Sequence, residues 1–558
     1  MGGTMSEPVV ADPSLYQLAN GVVLLRACKC SICGYVFFPP HGYGCESCGA
    51  GPQATAEELV EPSGVASSVA TVHHNPFAAD VPYAIAEIML DSGPTIRGLL
   101  DSPVGQGASI GSRVSGTLVP NGTRRGEADV LELRFSPATS EPTPRSAVSA
   151  SAPPSPVPGA APIASGARLC RLTPPPPRRP IGTMRPVYVV GVGLHRYQRP
   201  SDTTYVDLGL TAVRSALDDA GIEWPSVDAA YTATVNVGFA AGRTMLRYLG
   251  TTGIAMSQVE NASASGSTGF RSACVDVASG TSEVALAIGV DKVALPNMAP
   301  GKAGIHDLIG ARLMPVTHFA LLANAYMNTW DIEPEVLGLV AVKNHRNGAE
   351  NPYAQRQKVR SLADVMADPP LSGSLTRLQC CPIGEGAAAA IVASEDAIAS
   401  LGLDESRCVR VLSSVAASER VYSPGVNWDT ALTGDTTERA LAEAQISPDQ
   451  LDVVEVHDAF TIEELLYIEA MGLCEPGQAA PLLVEGAWDI GGRCAVSPSG
   501  GLVSMGHPFG PTGVGQVAEV TRQLRGEAGA RQQPGAQFGL AHMVGVGAVC
   551  VVHVLSST

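Results

Sequence analysis

Apolar residues along this chain change their spacing several times, and each spacing predicts a different kind of element. Near the start, apolar residues recur every three or four positions, which predicts an amphipathic helical lead-in over 1–27. These residues are Leu15, Leu18, Val22 and Leu25. From about residue 64 the apolar runs are short and separated by Gly and Pro, as in a small β-barrel. The predicted strands are Val65–His73, Tyr83–Leu90, Thr95–Leu100, Val114–Val119 and Val130–Phe135.

Beyond residue 184, buried strands and amphipathic helices alternate, and a strand–helix–strand opening occurs twice. Its members are Val187–Val192, Tyr205–Ala220 and Ala229–Thr234, and later Val409–Ala416, Ala431–Ala444 and Leu451–Val456. Two such openings predict a duplicated α/β domain, in which helices cover a mostly parallel sheet in each half. We place the halves at 185–395 and 396–558, with an irregular insertion of short helices at about 293–378.

Residues 139–180 separate the two patterns and consist largely of Ser, Ala and Pro, with consecutive prolines at 174–177. This segment has almost no apolar periodicity, so it cannot bury enough surface to fold by itself. Its proline content favours an extended, semi-stiff chain. We therefore expect a tether between two domains that dock against each other.

Length and charge narrow the classes of function. A chain of 558 residues needs more than one hydrophobic core. A net charge of −17 argues against a nucleic-acid partner, which requires basic patches. No apolar run reaches the length of a membrane span, and the N-terminus lacks the composition of a signal peptide. Together with 13 Cys that form no disulfide framework, these features predict a cytoplasmic protein.

A group of cysteines near the N-terminus has the spacing of a metal site. They follow the pattern C-x2-C-x11-C-x2-C and are Cys30, Cys33, Cys45 and Cys48. Each CxxC pair can bind one side of a tetrahedral ion, and two pairs complete a four-thiolate site. Because four thiolates leave no open position for substrate, we predict a structural Zn²⁺. This assigns 28–50 to a zinc ribbon and 51–138 to the barrel.

Small residues at 260–269, ENASASGSTG, join an apolar run to a helical pattern. Ser263 lies where that helix is predicted to begin, and free N–H groups at a helix start favour negative charge. Nucleophiles and oxyanion holes are often built at such positions. Taken alone, the pattern favours the simpler interpretation, in which Ser263 only caps the helix.

Two histidines and a glycine turn are further candidates for chemistry. His457 follows a predicted strand in VHDAF (456–460), and open α/β sheets bind ligands at the carboxyl ends of strands. His507 lies in the glycine-rich loop at 497–513, SPSGGLVSMGHPFGPTG, whose small residues would let a thioester approach closely. Gly545 belongs to the last glycine turn. Each histidine suits either a structural role or general acid–base catalysis.

The first 138 residues resemble the DUF35 family of zinc-ribbon/OB-fold proteins. The resemblance rests on the CxxC spacing, followed by a barrel that ends in Phe135-Ser136-Pro137. Members of that family are partners or fused modules of thiolase-like proteins. The resemblance therefore implies that the N-terminal module docks beside the acyl-CoA entrance of a thiolase-like domain.

The stretch from about Arg185 to Leu555 resembles the thiolase superfamily, and within it the SCP2-thiolase (sterol carrier protein x, lipid-transfer protein) branch. The motifs that carry this resemblance are NASASG (261–266), NPYA (351–354), VHDAF, the 497–513 loop and the last glycine turn. The family fold is a duplicated, five-layered αβαβα arrangement, usually dimeric. The resemblance implies a homodimer that acts on acyl-CoA thioesters, with coenzyme A as part of the substrate.

The resemblance also implies roles for individual residues. It places the nucleophilic Cys of the family at Ser263 and the histidine that activates it at His507. His457 would help to hold the thioester oxygen, together with a backbone contribution at Gly545. The proton-transfer Cys of the family's HDCF motif falls at Ala459. Two sulfur atoms are therefore missing, whereas both imidazoles remain.

Three functions fit such a site. The favoured one makes or breaks a carbon–carbon bond on an acyl-CoA, with acyl transfer through Ser263 and His507 as base. The second is a nucleophile-free retro-aldol lyase that acts on a CoA-linked side chain, as steroid aldolases do. The third is a non-catalytic acyl-CoA or lipid binder. If Ser263 replaces a native Cys, the chemistry returns to ordinary thiol-based acyl transfer.

Overall fold

The structure, a computed structural model, describes residues 9–78, 80–101, 107–125, 128–138, 180–293, 307–422, 425–545 and 549–557. The chain divides into two compact units. The first comprises Met1–Pro176, Met298–Ala325 and Ser423–Gly425, and the second comprises Pro177–Asn297, Tyr326–Tyr422 and Val426–Thr558. The predicted tether at 139–180 lies outside the described residues, except for Pro180.

The first unit is built mainly from strands. They are β1 (Val9–Val10), β2 (Tyr16–Ala19), β3 (Val22–Cys30), β4 (Val36–Phe37), β5 (Thr55–Val60), β6 (Ser63–Val72), β7 (Tyr83–Leu90), β8 (Thr95–Leu99), β9 (Arg113–Arg125) and β10 (Ala128–Pro137).

Strands occupy the described part of the N-terminal lead-in, so the helix predicted over 1–27 is wrong. β2 and β3 form an antiparallel hairpin in which Tyr16 lies opposite Leu25. The turn is Asn20-Gly21, whose φ angles of 52° and 79° suit the tight hairpin turn that this dipeptide favours. The apolar residues that imitate a helical period belong to two strands that face each other.

β6 to β10 form the predicted barrel. Their order is β8-β7-β6-β9-β10, with antiparallel neighbours throughout. Leu100 bridges Phe135, and the N–H of Asp101 donates to the carbonyl of Phe135 at 2.9 Å, which closes β8 onto β10. A side chain at Gly98 would lie 2.5 Å from the fully buried ring of Phe135. This is the five-stranded Greek-key barrel expected of an OB-fold.

The remaining strands and the helices follow. The strands are β11 (Val187–Gln198), β12 (Ala229–Ala233), β13 (Ala255–Val259), β14 (Val284–Asp291), β15 (Pro370–Ser372), β16 (Leu375–Thr376), β17 (Glu385–Ser394), β18 (Val409–Ser418), β19 (Val453–Glu455), β20 (Ala495–Val496), β21 (Phe538–Gly545) and β22 (Val549–Ser557). The helices are α1 (Tyr205–Ala220), α2 (Ala241–Leu246), α3 (Ser265–Ser279), α4 (Pro315–Trp330), α5 (Pro334–Ala349), α6 (Leu362–Met366), α7 (Glu395–Leu401), α8 (Trp428–Ala444), α9 (Thr461–Ala470), α10 (Ala479–Val484), α11 (Gly501–Met505) and α12 (Thr512–Leu524). Within the described ranges, no helix combines the length and apolarity needed to cross a bilayer.

The second unit contains the predicted duplication. One half has the strand order β13-β12-β14-β17-β11, and the other has β20-β19-β21-β22-β18. In each half the first two pairings are parallel and the last two are antiparallel. The sheets are therefore mixed, and the expectation of mostly parallel sheets is wrong. The reason is clearest at β21 and β22, because only residues 546–548 separate them in sequence and a parallel pair needs a connection of about a dozen residues or more.

Helices α3 and α12 share one core with strands of both halves. That core includes Phe270 and Val277 of α3 and Val514 and Val517 of α12, all fully buried. On the outer faces, α1 packs against β11 and β17, and α8 packs against β18 and β22. The strands of the two halves are joined by the pairing of β11 with β18 into one ten-stranded sheet. Outer helices, the two halves of this sheet and a shared central helical layer make up the predicted αβαβα fold.

The insertion at about 293–378 is more regular than its sequence suggests. Its residues 294–306 lie outside the described part. Beyond them, α4 and α5 have 16 residues each, so the expectation of short helices in an irregular segment is wrong. α5 begins at Pro334, a residue suited to a first helical turn. It buries Leu337, Val340 and Ala341, which have helical spacing.

Glycines allow α3 to lie close to the loop that precedes α12. A Cβ at Gly266 of α3 would overlap the carbonyl oxygen of Gly510 and come within 3.1 Å of the nitrogen of Gly513. A Cβ at Gly289 of β14 would overlap the same carbonyl. The loop is also held by Asp291, which accepts the N–H of Gly510 at 2.8 Å. Close backbone packing therefore fixes the loop that contains His507.

We expect Gly266→Ala to lower the midpoint of thermal unfolding by about 2–4 °C, because the new methyl group meets backbone that cannot move aside. Differential scanning fluorimetry measures this. Gly269→Ala is the matched control in the same helix, since its Cβ would make only an ordinary 3.4 Å contact with Val259. Equal midpoints for the two variants would contradict the packing argument.

Candidate active site

Ser263 lies in a tight turn between β13 and α3. Ala262, just before it, has the left-handed φ of 48°. The N–H of Ala264 donates to the carbonyl of Asn261 at 3.0 Å, and Oγ of Ser265 donates to the carbonyl of Ala262 at 2.6 Å. The cap position of α3 is Ala264, which offers no side-chain hydrogen bond. Ser263 is therefore not the helix cap, and its hydroxyl is free for another role.

The hydroxyl of Ser263 contacts a histidine from the other half of the domain. Its Oγ lies 2.9 Å from Nε2 of His507, and both residues are buried. On the other side of the ring, Nδ1 lies 2.9 Å from Oγ1 of Thr512. If Nε2 accepts the serine proton, Nδ1 carries the ring hydrogen and donates it to Thr512. Ser263, His507 and Thr512 thus form a continuous hydrogen-bonded chain.

Burial lowers the pKa of His507 well below its usual range, and the charge of His457 acts in the same direction. The cause is that a buried imidazolium loses its hydration. His507 is therefore neutral at ordinary pH and ready to accept a proton.

His457 is held by a buried carboxylate. Its Nδ1 lies 2.8 Å from Oε1 of Glu463, which also accepts from the hydroxyl of Tyr467 at 3.2 Å. The other carboxylate oxygen accepts the N–H of Phe460 at 2.9 Å. Burial raises the pKa of Glu463, whereas the neighbouring His457 opposes that shift. These contacts leave His457 with one fixed ring orientation.

The free edge of the His457 ring is available to a ligand. Its Nε2 is buried and has no hydrogen-bond partner among the described residues. The ring centre lies 5.2 Å from that of His507, and the two rings are nearly perpendicular. A buried donor without a partner is costly, so a bound oxygen atom would satisfy it.

Gly545, at the end of β21, lies against the turn that contains Ser263. A Cβ at Gly545 would overlap the carbonyl oxygen of Asn261 and lie 3.4 Å from Cβ of Ala264. The residues that follow, 546–548, are outside the described ranges. The structure thus brings Gly545, Ser263, His457 and His507 into one region.

Sequence reasoning assigned no chemistry to three residues of this region. Glu463 and Thr512 hold the two histidines, and each lies in the same short segment as its histidine. Cys381 is the third: its N–H donates to the carbonyl of Ala459 at 2.7 Å. Because 78 positions separate Cys381 from Ala459 in the sequence, no local pattern reveals that contact.

The four predicted zinc ligands lie together in the first unit. The Sγ atoms of Cys30, Cys33, Cys45 and Cys48 all lie within 4.8 Å of one another. Cys30 and Cys48 are 3.7 Å apart, and Cys33 and Cys45 are 3.6 Å apart. Four Zn–S bonds of about 2.3 Å in a tetrahedron place sulfur atoms about 3.8 Å apart, so these residues fit Zn²⁺.

Known families match the sequence of this chain. The sequence matches the family "Thiolase, N-terminal domain" over residues 196–361 and "Thiolase C-terminal domain-like" over residues 416–557. It is also 37% identical over 401 residues to sterol carrier protein 2 of Homo sapiens. This alignment covers 66% of this chain and 72% of that protein. The chain belongs to the thiolase family.

Other relatives of this thiolase agree with that assignment. The benzoylsuccinyl-CoA thiolase subunit BbsB of Thauera aromatica is 35% identical over 377 residues, or 65% of this chain and 95% of that protein. A solved structure described as "Ltp2-ChsH2(DUF35) aldolase" matches with a TM-score of 0.58 at 22% identity, over 67% of this chain and 98% of that one. At such identity the likeness shows the fold alone. The thiolase fold predicted from sequence is confirmed, and the first unit contains the predicted four-cysteine cluster and five-stranded barrel.

We expect the full chain to bind about one Zn²⁺ and Cys33→Ser to lose most of it, because the site needs all four thiolates. Elemental analysis of the purified variants measures the metal. Cys28→Ser is the matched control, since Cys28 is a nearby buried cysteine outside the cluster. Full zinc content in Cys33→Ser would contradict the assignment.

Proposed function

We propose that this thiolase transfers acyl groups of acyl-CoA thioesters through Ser263, with His507 as base, and makes or breaks a carbon–carbon bond. The observation that supports this most directly is the 2.9 Å contact between Oγ of Ser263 and Nε2 of His507. A serine hydroxyl is too weak an acid to ionise beforehand, so it must lose its proton as it attacks. A neutral histidine at hydrogen-bond distance is the group that can take that proton.

The oxygen of the thioester needs donors when it gains negative charge. Nε2 of His457 is a buried donor without a protein partner, and Gly545 lies against the turn of Ser263. We assign the oxyanion to His457 and to the backbone at Gly545. Donors fixed in a site that excludes water stabilise such charge strongly. In the imidazolium form of His457, Nδ1 donates to the carboxylate of Glu463 and Nε2 keeps a second hydrogen that can be donated to the oxyanion.

The names of relatives indicate the class of substrate but not the acyl group. The name of one relative refers to benzoylsuccinyl-CoA and that of another refers to a sterol, and these are very different molecules. A retro-aldol lyase is the second candidate, because Ala459 stands where the family carries a thiol and one structural neighbour is described as an aldolase. A lyase would need no ester at Ser263, so acylation separates the two candidates.

Incubation of the full chain with short, aromatic and steroid-sized acyl-CoAs is expected to add one acyl group to Ser263, seen by intact-protein mass spectrometry and peptide mapping. His507→Ala should slow acylation at least ~100-fold, the usual scale for a general base. Ser263→Cys should acylate faster, because a thiol near pKa ~8.5 ionises far more readily than a hydroxyl.

Two variants serve as matched controls for acylation. Ser272→Ala removes a hydroxyl that bonds within α3, and His195→Ala removes a histidine whose Nδ1 lies 2.7 Å from the carbonyl oxygen of Arg196. Both should acylate at the normal rate. Release of an aldehyde or ketone without any acylation would favour the lyase, and neither acylation nor turnover would favour a binder.

We expect the acylation rate to fall less than about twofold between pH 8 and pH 6, because the depressed pKa of His507 keeps the base unprotonated over this range. A histidine with the ordinary pKa near 6.5 would lose about fourfold over the same interval. Quenched single-turnover acylation at several pH values measures this. A fourfold or larger fall would show that His507 titrates normally and would contradict the buried, neutral base.

The homodimer implied by the family stays a prediction. β13 is an edge strand with exposed side chains along most of its length, and Phe239 nearby is fully exposed. An exposed strand edge readily pairs with a strand of a second chain. These features support association through the thiolase domain.

A further inference from the structure

The proposed carbon–carbon chemistry requires a proton that none of the residues assigned above supplies. Breaking the bond leaves an electron pair on carbon, which an acid must protonate. His507 is already engaged with Ser263, and Nδ1 of His457 is held by Glu463. Ala459, at the position of the family's proton-transfer thiol, has only a methyl group.

The backbone of Cys381 is paired with that of Ala459. Cys380 and Phe460 form an antiparallel bridge, and the N–H of Cys381 donates to the carbonyl of Ala459 at 2.7 Å. Residues opposite each other in such a pair project side chains to the same face, with Cβ atoms about 5 Å apart. The side chain of Cys381 therefore lies beside the methyl group of Ala459, two residues from His457.

We propose that the thiol of Cys381 is the proton-transfer group of the carbon–carbon step, in the place where Ala459 provides no sulfur. This proposal rests on the proposed acyl transfer through Ser263. A second observation indicates that a ligand belongs here: Nε2 of His457 is buried and has no partner among the described residues.

The step balances for cleavage of a 3-oxoacyl-CoA. Ser263 loses its proton to His507 and attacks the keto carbon, and the carbon–carbon bond breaks as the serine ester forms. The released carbanion takes the proton of Cys381 and leaves as an acyl-CoA. Coenzyme A then enters as its thiolate and attacks the ester, and the proton that its thiol released to solvent returns to the Cys381 thiolate. The serine oxygen leaves with the proton held by His507.

The surroundings of Cys381 suit proton donation. Burial raises the pKa of this thiol to about 12, with Arg356 opposing the shift and Glu463 adding to it. The group is therefore protonated before the carbanion forms. Arg356 is anchored by the carbonyls of Cys380 and Val503, at 2.9 Å each, so its charge stays close to the new thiolate.

Two reactions of the full chain separate this role from that of Ser263. Exchange of acetyl between acetyl-CoA and isotopically labelled coenzyme A needs the serine ester but breaks no carbon–carbon bond. Thiolysis of acetoacetyl-CoA, 3-oxooctanoyl-CoA or 3-oxo-3-phenylpropanoyl-CoA needs the serine ester and also the cleavage of a carbon–carbon bond. Cys381→Ala is expected to lower thiolysis at least ~100-fold while exchange stays within about threefold.

A rescue and a neighbouring control complete the test. Adding Ala459→Cys to Cys381→Ala returns a thiol from the opposite strand, and we expect thiolysis to recover at least about tenfold. Cys380→Ala should leave both reactions within about threefold, because successive side chains of an extended segment point to opposite faces and the thiol of Cys380 bonds the carbonyl of Thr376.

Unchanged thiolysis in Cys381→Ala, or an equal loss of both reactions, would overturn the role of Cys381. So would a wild-type chain that exchanges acetyl yet cleaves none of the three probes, although acyl transfer through Ser263 would then still stand. A chain that neither exchanges nor cleaves would overturn the proposed function itself.

Discussion

The close approach of backbone between the two halves of the thiolase domain is the constraint on which the site depends. Gly266 and Gly289 of the first half leave room for the carbonyl of Gly510, which belongs to the second half. That approach holds the loop before α12 against the start of α3. Ser263 and His507, which are 244 positions apart, can then share a 2.9 Å hydrogen bond. A larger side chain at these glycines would push the nucleophile and its base apart.

Burial then decides what each polar group can do. It keeps His507 unprotonated, so that this imidazole can act as a base, and it raises the pKa of Glu463. The same burial makes an unpartnered donor costly, which gives Nε2 of His457 a strong preference for a bound oxygen atom. The two imidazoles are chemically alike, but one is oriented by a hydroxyl and the other by a carboxylate. In the proposed mechanism, that difference in partners suits His507 to proton transfer and His457 to oxyanion binding.

The two positions at which the family carries a thiol are Ser263 and Ala459 in this chain. The absence of sulfur affects acyl transfer at the first position and proton transfer at the second. At Ser263 an oxygen remains, and a neutral base at hydrogen-bond distance can compensate for its weaker acidity. At Ala459 no exchangeable proton remains, and compensation must come from another segment of the chain. The strand pairing that places Cys381 beside Ala459 provides such a segment. In the proposed mechanism, a residue that is close to Ala459 only in the folded chain takes the role that the family gives to a motif residue.

The sequence by itself determined the family, the duplicated fold, the barrel and the four-cysteine cluster, because periodicity, CxxC spacing and motif order are local properties. It misjudged the lead-in, where two facing strands imitate a helical period, and the insertion, where it missed α4 and α5. Only the tertiary structure decided that Ser263 contacts His507 rather than capping α3, and that Cys381 lies beside Ala459. Those contacts join residues far apart in the chain, and packing between separate elements creates them.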